Sequence, residues 1–309
     1  MLENVSKTKF RSGEQLRSQV EVVHSSLKLL GKRKNPPMNN GDDGFTLVTR
    51  KTRSQKKVRL PLASNSSDKK NLVIAEVSRD LAIKQVQKSR SEIEASEFFK
   101  QALCSLQEGL ESSKNGSVKH FLCYGLGCFS SCPIARHQLG FLLALKGHLA
   151  PLSVLLYDPL FTPLERSLLI DEFGLSLIGT NEEGKRPVAK EGCTLVFAPH
   201  CPKQLTNNLL WANWHPELLG RCLLLANSFN SVANNPASQP ETAEYLLRIH
   251  EHTCEVGLKN SFRLYDVFND LAFHSFDTEK ISQDFWINHP EPIYPEDDTG
   301  QVIRNGQQS

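Results

Sequence analysis

Two cysteines are each followed by proline, Cys132-Pro133 and Cys201-Pro202, and each pair opens a helical stretch after a short apolar run. Proline suits the first helical position, where its missing N–H would have no partner anyway. Cys132 and Cys201 therefore fall at or beside helix N-caps, where the helix lowers a thiol's pKa and makes it more nucleophilic or more metal-avid. Cysteine also simply fits a tight, half-buried turn, and both readings stand. Ahead of Cys132, the run Phe121–Tyr124 stops at Gly125-Leu126-Gly127 and leads into Ser130 and Ser131. Strand, glycine turn and helix start is the layout that offers backbone N–H groups to an anion. The third glycine of the dinucleotide fingerprint is Ser130 here, so the match is partial.

Further candidates cluster around these turns. His200 beside Cys201 invites a Cys–His nucleophile, which would need an orienting Asn such as Asn207 or Asn208. Zinc needs four well-spaced ligands, and no second C-x-x-C or H-x-x-H completes a set, so no metal is expected. Cys-Pro dipeptides can also contact haem through the thiolate. Asp158 ends an apolar run where nucleotide-binding folds keep an acidic residue for ribose hydroxyls, although it equally suits a turn before Pro159. The cofactor is left unassigned between haem, a nucleotide and none.

The elements that must position these residues are legible as alternating runs. Strands are expected at Phe121–Tyr124, Val154–Tyr157, Leu175–Ile178, Thr194–Ala198 and Cys222–Ala226. They are short and continuously apolar, as suits parallel strands covered on both faces. Thr162-Pro163-Leu164-Glu165 is a capping box with proline at the first helical position, and Gly174 closes that helix. Repeated β-α units imply an α/β fold, a three-layer Rossmann-like, doubly wound, mostly parallel sheet. In strand order 3-2-1-4-5 the ends of the first and fourth strands flank the switch-point crevice, so both Cys-Pro turns should face it. Tyr124, Asp158 and, at the end of the fifth strand, Asn227 would complete the walls.

Around this domain, assigned to residues 119–289, the chain changes character. Residues 1–71 hold 16 Lys or Arg against 6 Asp or Glu, a balance of +10, which leaves −8 for the rest of a chain of net charge +2. This segment reads as a disordered basic arm. Its clusters Lys32–Lys34 and Arg50–Arg59 are candidate nuclear import signals or nucleic-acid contacts, and direct nucleic-acid binding is not expected elsewhere. Residues 72–118 show helical spacing, with Ile74, Val77, Leu81, Phe99, Leu103, Leu106 and Leu110 recurring and Gly109 as an expected stop. A helix is expected from Glu241 to His252, aromatic edge strands over Phe262–Phe276, and a frayed acidic tail over residues 290–309. Trp211 and Trp214 share a helix face with Asn207 and read as core or, failing that, as an aromatic lip for a ligand or partner. No apolar run reaches 18 residues and Met1–Gln19 is polar, so neither a membrane span nor a signal peptide is expected. The eight cysteines lie singly, as in a reduced, intracellular protein.

Four blocks carry a resemblance: CYGLGCFSSCPIARHQLGFLL, LLYDPLFTPLE, NEEGKR and FAPHCPKQLTNNLLWANW. They are similar to the signature blocks of the SRR-like family, named for the plant protein Sensitivity to Red Light Reduced. The resemblance covers about Lys119–Ser231, and DVFNDLAFHSF also fits it. Cys128 departs from the Asn expected in many relatives. The resemblance implies a regulatory protein linked to circadian gene expression and to haem biosynthesis; the composition makes it cytoplasmic, and the basic clusters add the nucleus as a second expected location. The resemblance implies no defined reaction; the glycine turn makes a small anionic ligand the expected occupant of the crevice, and protein partners are expected besides. The alternative is a nucleotide- or S-adenosylmethionine-dependent transferase using the same crevice.

Overall fold

The computed structural model describes residues 78–113, 116–235 and 240–294. The basic arm, its two clusters and the last fifteen residues lie outside the described residues.

Two helices lead in, α1 (Arg79–Glu94) and α2 (Glu97–Ser113). Ser78 starts α1 by accepting the Leu81 N–H on its hydroxyl, a cap worth about 1 kcal/mol. Ala82, Val86, Ser89 and Ile93, spaced four and three apart, form its buried stripe. Gly109 does not stop α2 but lies inside it. A Cβ there would stand 3.1 Å from the Leu223 side chain, so the glycine lets the helix lie close on the sheet.

The core domain then runs β1 (Val118–Tyr124), α3 (Pro133–Leu149), β2 (Ser153–Tyr157), α4 (Pro163–Ser167) with a π-turn over Leu168–Glu172, and β3 (Ser176–Leu177). It continues with β4 (Cys193–Ala198), α5 (Lys203–Ala212), α6 (Pro216–Leu219), β5 (Cys222–Asn227) and α7 (Phe229–Ala233). After α8 (Glu244–His250) come β6 (Thr253–Gly257) and β7 (Leu271–Phe276). The sheet order is β3-β2-β1-β4-β5-β7-β6. The first five strands are parallel, and β7 and β6 add antiparallel. The expected α/β, mostly parallel, doubly wound class is the one observed.

Successive side chains of a strand point to opposite faces, and here they sort the core into two layers. Phe121, Cys123, Leu195, Phe197, Leu223 and Leu225 pack under α1, α2 and α3. Leu122, Tyr124, Val196, Ala198, Leu224 and Ala226 pack under α5 to α8. Burial on both faces is why these strands read as unbroken apolar runs.

The expected strand at Leu175–Ile178 shortens to two residues at the parallel end of the sheet. The expected aromatic edge strand, β7, is not an edge. The edge is β6, whose half-buried Thr-Cys-Glu-Val-Gly has no apolar run to betray it. The described part of the tail is fastened, not frayed. Tyr245 donates to the Pro290 carbonyl at 2.5 Å and Trp211 to that of His289 at 3.1 Å. The Tyr294 hydroxyl reaches the Gln204 carbonyl and Asn208 at 3.1 and 2.8 Å. Residues 289–294 thus strap α5 and α8.

Candidate functional site

The chain reverses winding direction at the C-terminal ends of β1 and β4, and the crevice lies there. Both glycines of the turn after β1 are left-handed, Gly125 at φ 71° and Gly127 at φ 73°, a conformation that costs any other L-residue about 1–2 kcal/mol. The turn is closed by the chain's own carboxylates. Gly127 donates its N–H to Asp158 Oδ2 at 2.7 Å, and Leu160 donates to Oδ1 at 2.8 Å. Ser130 donates its N–H to Glu165 Oε1 at 2.8 Å. Glu165 Oε2 accepts from the Thr162 N–H at 2.9 Å and its hydroxyl at 3.1 Å, while Thr162 Oγ1 accepts from the Glu165 N–H. The capping box that starts α4 therefore also holds the loop before α3, with Glu165 fully buried. From the other side, Arg136 donates to the carbonyls of Phe129 and Ser130 at 3.0 and 2.9 Å.

This changes the reading of several residues. The N–H groups of Gly127 and Ser130, expected to cradle an anion, are spent inside the protein. Asp158, expected at a ribose, ties two backbone turns together, which was its other reading. Burial pushes its carboxyl above the ordinary value, against the two N–H groups that pull it down, and the nearby Glu165 adds to the rise. Glu165 was read only as a helix start. Its second role was not visible because the 35 residues to Ser130 carry no periodicity.

The two Cys-Pro turns do not face one crevice. Cys132 is the N-cap of α3 with no side-chain cap bond, partly exposed, and packs with the first layer. Cys201 is buried in the second layer, and Pro202 rather than Cys201 is the N-cap of α5. The cause is the winding itself, which sends α3 and α5 to opposite faces of the sheet. Cys201 Sγ sits against the Tyr124 carbonyl at 3.5 Å, and a Cβ on Gly125 would stand 2.3 Å from it. Its thiol is pushed up to about 12, by burial first and by Asp158 second. Of the two readings of this cysteine, the buried turn residue is the one observed, because desolvation outweighs the helix start. Thiolate ligation of haem by Cys201 does not fit this sulfur. Among the described residues no group of three or more His, Cys, Asp or Glu is placed to hold a metal ion.

The remaining candidates support neighbouring backbone. His200 is left-handed at φ 54°; its N–H donates to Asn227 Oδ1 at 3.0 Å and its ring points to the Val267 carbonyl at 3.2 Å. His200 and Asn227 thus form the wall on the β5 side, away from the cavity described next. Ser131 is exposed, its hydroxyl near the Cys128 carbonyl at 3.4 Å. Asn208 is buried and donates to the Glu183 carbonyl at 2.8 Å. Asn207 accepts the Tyr245 N–H at 2.7 Å, so it positions α8 and orients no histidine.

What stays open is a cavity of about 150 Å³ beside the turn, lined by Tyr124, Gly125, Tyr157, Asp158, Glu183 and Cys201 together with proline and leucine side chains. Its wall opposite β1 is the segment Asn181–Gly184, which sequence reasoning noted only as part of the NEEGKR block. Glu182 and Arg186 pair twice across that segment at 2.6 Å. Tyr124 is 2% exposed, and its hydroxyl has no hydrogen bond of proper geometry, although the Arg186 guanidinium approaches it.

Fold and site together define an α/β domain of Rossmann-like class whose glycine turn is locked by its own carboxylates. The SRR1 domain matches residues 83–275, and the chain belongs to that family. It is 30% identical to an SRR1-like protein of Drosophila melanogaster over 254 residues, 81% of this chain and 90% of the relative. It is 46% identical to an SRR1-like protein of Mus musculus over 49% of this chain and 61% of that one. The protein Sensitivity to Red Light Reduced 1 of Arabidopsis thaliana is 26% identical over 61% of this chain and 72% of its own length. Among solved structures, the crystal structure of a mutant of MtNAS covers 63% of this chain and 71% of its own at 14% identity, with a TM-score of 0.31. That likeness is too weak to bear on function.

Proposed function

We propose that this chain is an intracellular regulatory protein of the SRR1 family, acting in circadian gene expression and in haem biosynthesis through protein partners. It works in the cytoplasm and, through the basic arm, in the nucleus. Family membership supports the role, and one observation supports the mode of action. The N–H groups that a Rossmann-type enzyme leaves open for a cofactor are filled here by Asp158 and Glu165. A turn secured in this way is a rigid part of the domain before any ligand arrives. Depleting the protein from cells that carry a clock reporter tests the reading. The expected result is an altered period together with altered haem content, both restored by re-expressing the chain. Unchanged period and unchanged haem would reject it.

The transferase alternative is supported by position alone, since the crevice sits at the switch point with an acidic residue ending β2. A saturable thermal shift with S-adenosylmethionine or NAD, abolished by Gly127→Val, would favour it over the regulatory reading.

A further inference from the structure

The sheet ends in two edges, and they are guarded differently. At one end β3 is two residues long, and so short an edge strand offers little to pair with. At the other end β6 runs for five residues, with no proline, no lysine and no bulge in its register with β7. Those are the devices by which sheets ordinarily keep an edge from pairing.

Hydrogen-bond alternation fixes what this edge presents. Leu258 donates its N–H to the Leu271 carbonyl at 2.8 Å. In an antiparallel ladder that turns the main-chain groups of Leu258, Val256 and Cys254 towards β7. The far side of β7 agrees. Ser228 donates to the Asp270 carbonyl at 2.8 Å, which points Ala272 and His274 to β5 and leaves Phe273 and Ser275 for β6. Thr253, Glu255 and Gly257 are left with N–H and C=O groups directed out of the sheet. Among the described residues none of these groups has a hydrogen-bond partner, and a Cβ on Gly257 would meet nothing within 4 Å.

We infer that β6 is a self-pairing edge: a second copy of this chain adds its own β6 antiparallel across a two-fold axis, joining two sheets into one. The strand itself sets the register. With Glu255 at the axis, Thr253 of one copy lies opposite Gly257 of the other, and every outward residue exchanges two hydrogen bonds with its opposite number. The same register brings Glu251, two residues before β6, towards Lys259 of the second copy, two residues after it. Both side chains are exposed, and neither forms an ion pair with a described residue. On the face away from Glu255, the exposed Cys254 meets the half-buried Val256 of the second copy. The one unfavourable match is Glu255 with itself. Each of those carboxylates is drawn back into its own chain, onto the Ser228 hydroxyl at 2.6 Å and the Asn230 N–H at 3.0 Å. An edge of this length buries less than a standard interface, so the dimer forms and dissociates with concentration. It goes beyond the regulatory role and does not rest on it.

Sedimentation velocity on the purified full chain, over a micromolar concentration series, tests this. A monomer–dimer equilibrium is expected. Gly257→Pro removes an outward N–H, leaves the bonds to β7 whole, and sits where edge strands accept proline. It should keep the circular-dichroism spectrum of the wild type and stay monomeric. Lys259→Glu should weaken dimerisation about tenfold, the equivalent of about 1.4 kcal/mol, and adding Glu251→Lys should restore it. In a mixture of heavy- and light-isotope chains, a short bis-maleimide should join Cys254 to Cys254 between copies, since diagonal neighbours across a strand pair stand about 7–8 Å apart. A chain that stays monomeric at every concentration overturns the inference and leaves the edge to a strand of another protein. So does a dimer that survives Gly257→Pro in folded form, or one indifferent to charge reversal at Lys259.

Discussion

The two Cys-Pro turns share a layout in sequence and meet opposite fates in structure. Each follows a central parallel strand and opens a helix, yet Cys132 is a partly exposed N-cap and Cys201 a buried filler against Gly125. The first turn is long enough to be governed by side chains from elsewhere, Asp158 and Glu165. The second is governed by one close contact, a sulfur where a Cβ would otherwise stand. A residue's reactivity at a helix start thus depends on which layer the helix enters and how much water reaches the start. The dipole alone does not decide it.

The comparison can be broken most forcefully at the first turn. Glu165→Ala strips the acceptor from the Ser130 and Thr162 N–H groups inside a dry site. A loss of about 3–4 kcal/mol is expected, read as a shift in denaturant midpoint. A loss under 1 kcal/mol would mean that the loop does not depend on that carboxylate.

At the second turn, Gly125→Ala should cost about 2–3 kcal/mol from left-handed strain and the clash with Cys201. Cys201→Ala in the same chain should recover the clash and leave the strain, so the double mutant regains roughly half. Purely additive losses would deny the contact.

Serine separates the two cysteines with a smaller effect of opposite sign. Cys132 has no side-chain cap bond, so Cys132→Ser adds one and should stabilise by about 0.5–1 kcal/mol. Cys201→Ser places a hydroxyl on a shorter bond in a buried site and should destabilise by about 1–2 kcal/mol. Equal effects would erase the distinction.

Acidity contrasts the crevice with the far edge of the sheet. Asp158 has a raised folded-state pKa, so its ionised form is disfavoured by folding. That penalty is present at neutral pH and disappears as pH falls through the raised value towards 3.8. Glu255 is held down to about 2 against the pull of burial, by His274, Ser228 and the Asn230 N–H. Its contribution is present above 4.5 and lost as pH falls from there towards 2. Carboxyl NMR titration should show Asp158 moving above its ordinary value and Glu255 below. The same order in both would contradict these environments.

Strand order, the capping box, the switch point and the role of Trp214 as core were legible because apolar runs and cap residues are local signals. The edge strand β6 was not, since a half-buried edge has no strong pattern. Glu165 reaching Ser130, the segment Asn181–Gly184 closing a cavity and Tyr294 strapping α5 were equally hidden. Each is a contact between distant residues that neither periodicity nor spacing encodes. Which of the two readings of Cys201 holds was hidden for the same reason: its helix start is written in the sequence, but its desolvation is set beside Gly125, 76 positions away.

The most direct measurement is alkylation of the native chain with iodoacetamide, quantified cysteine by cysteine by mass spectrometry and repeated after unfolding. Cys132 should label in the folded protein, while Cys201 should stay protected until the fold opens. Native labelling of Cys201 at the rate of Cys132 would contradict the account.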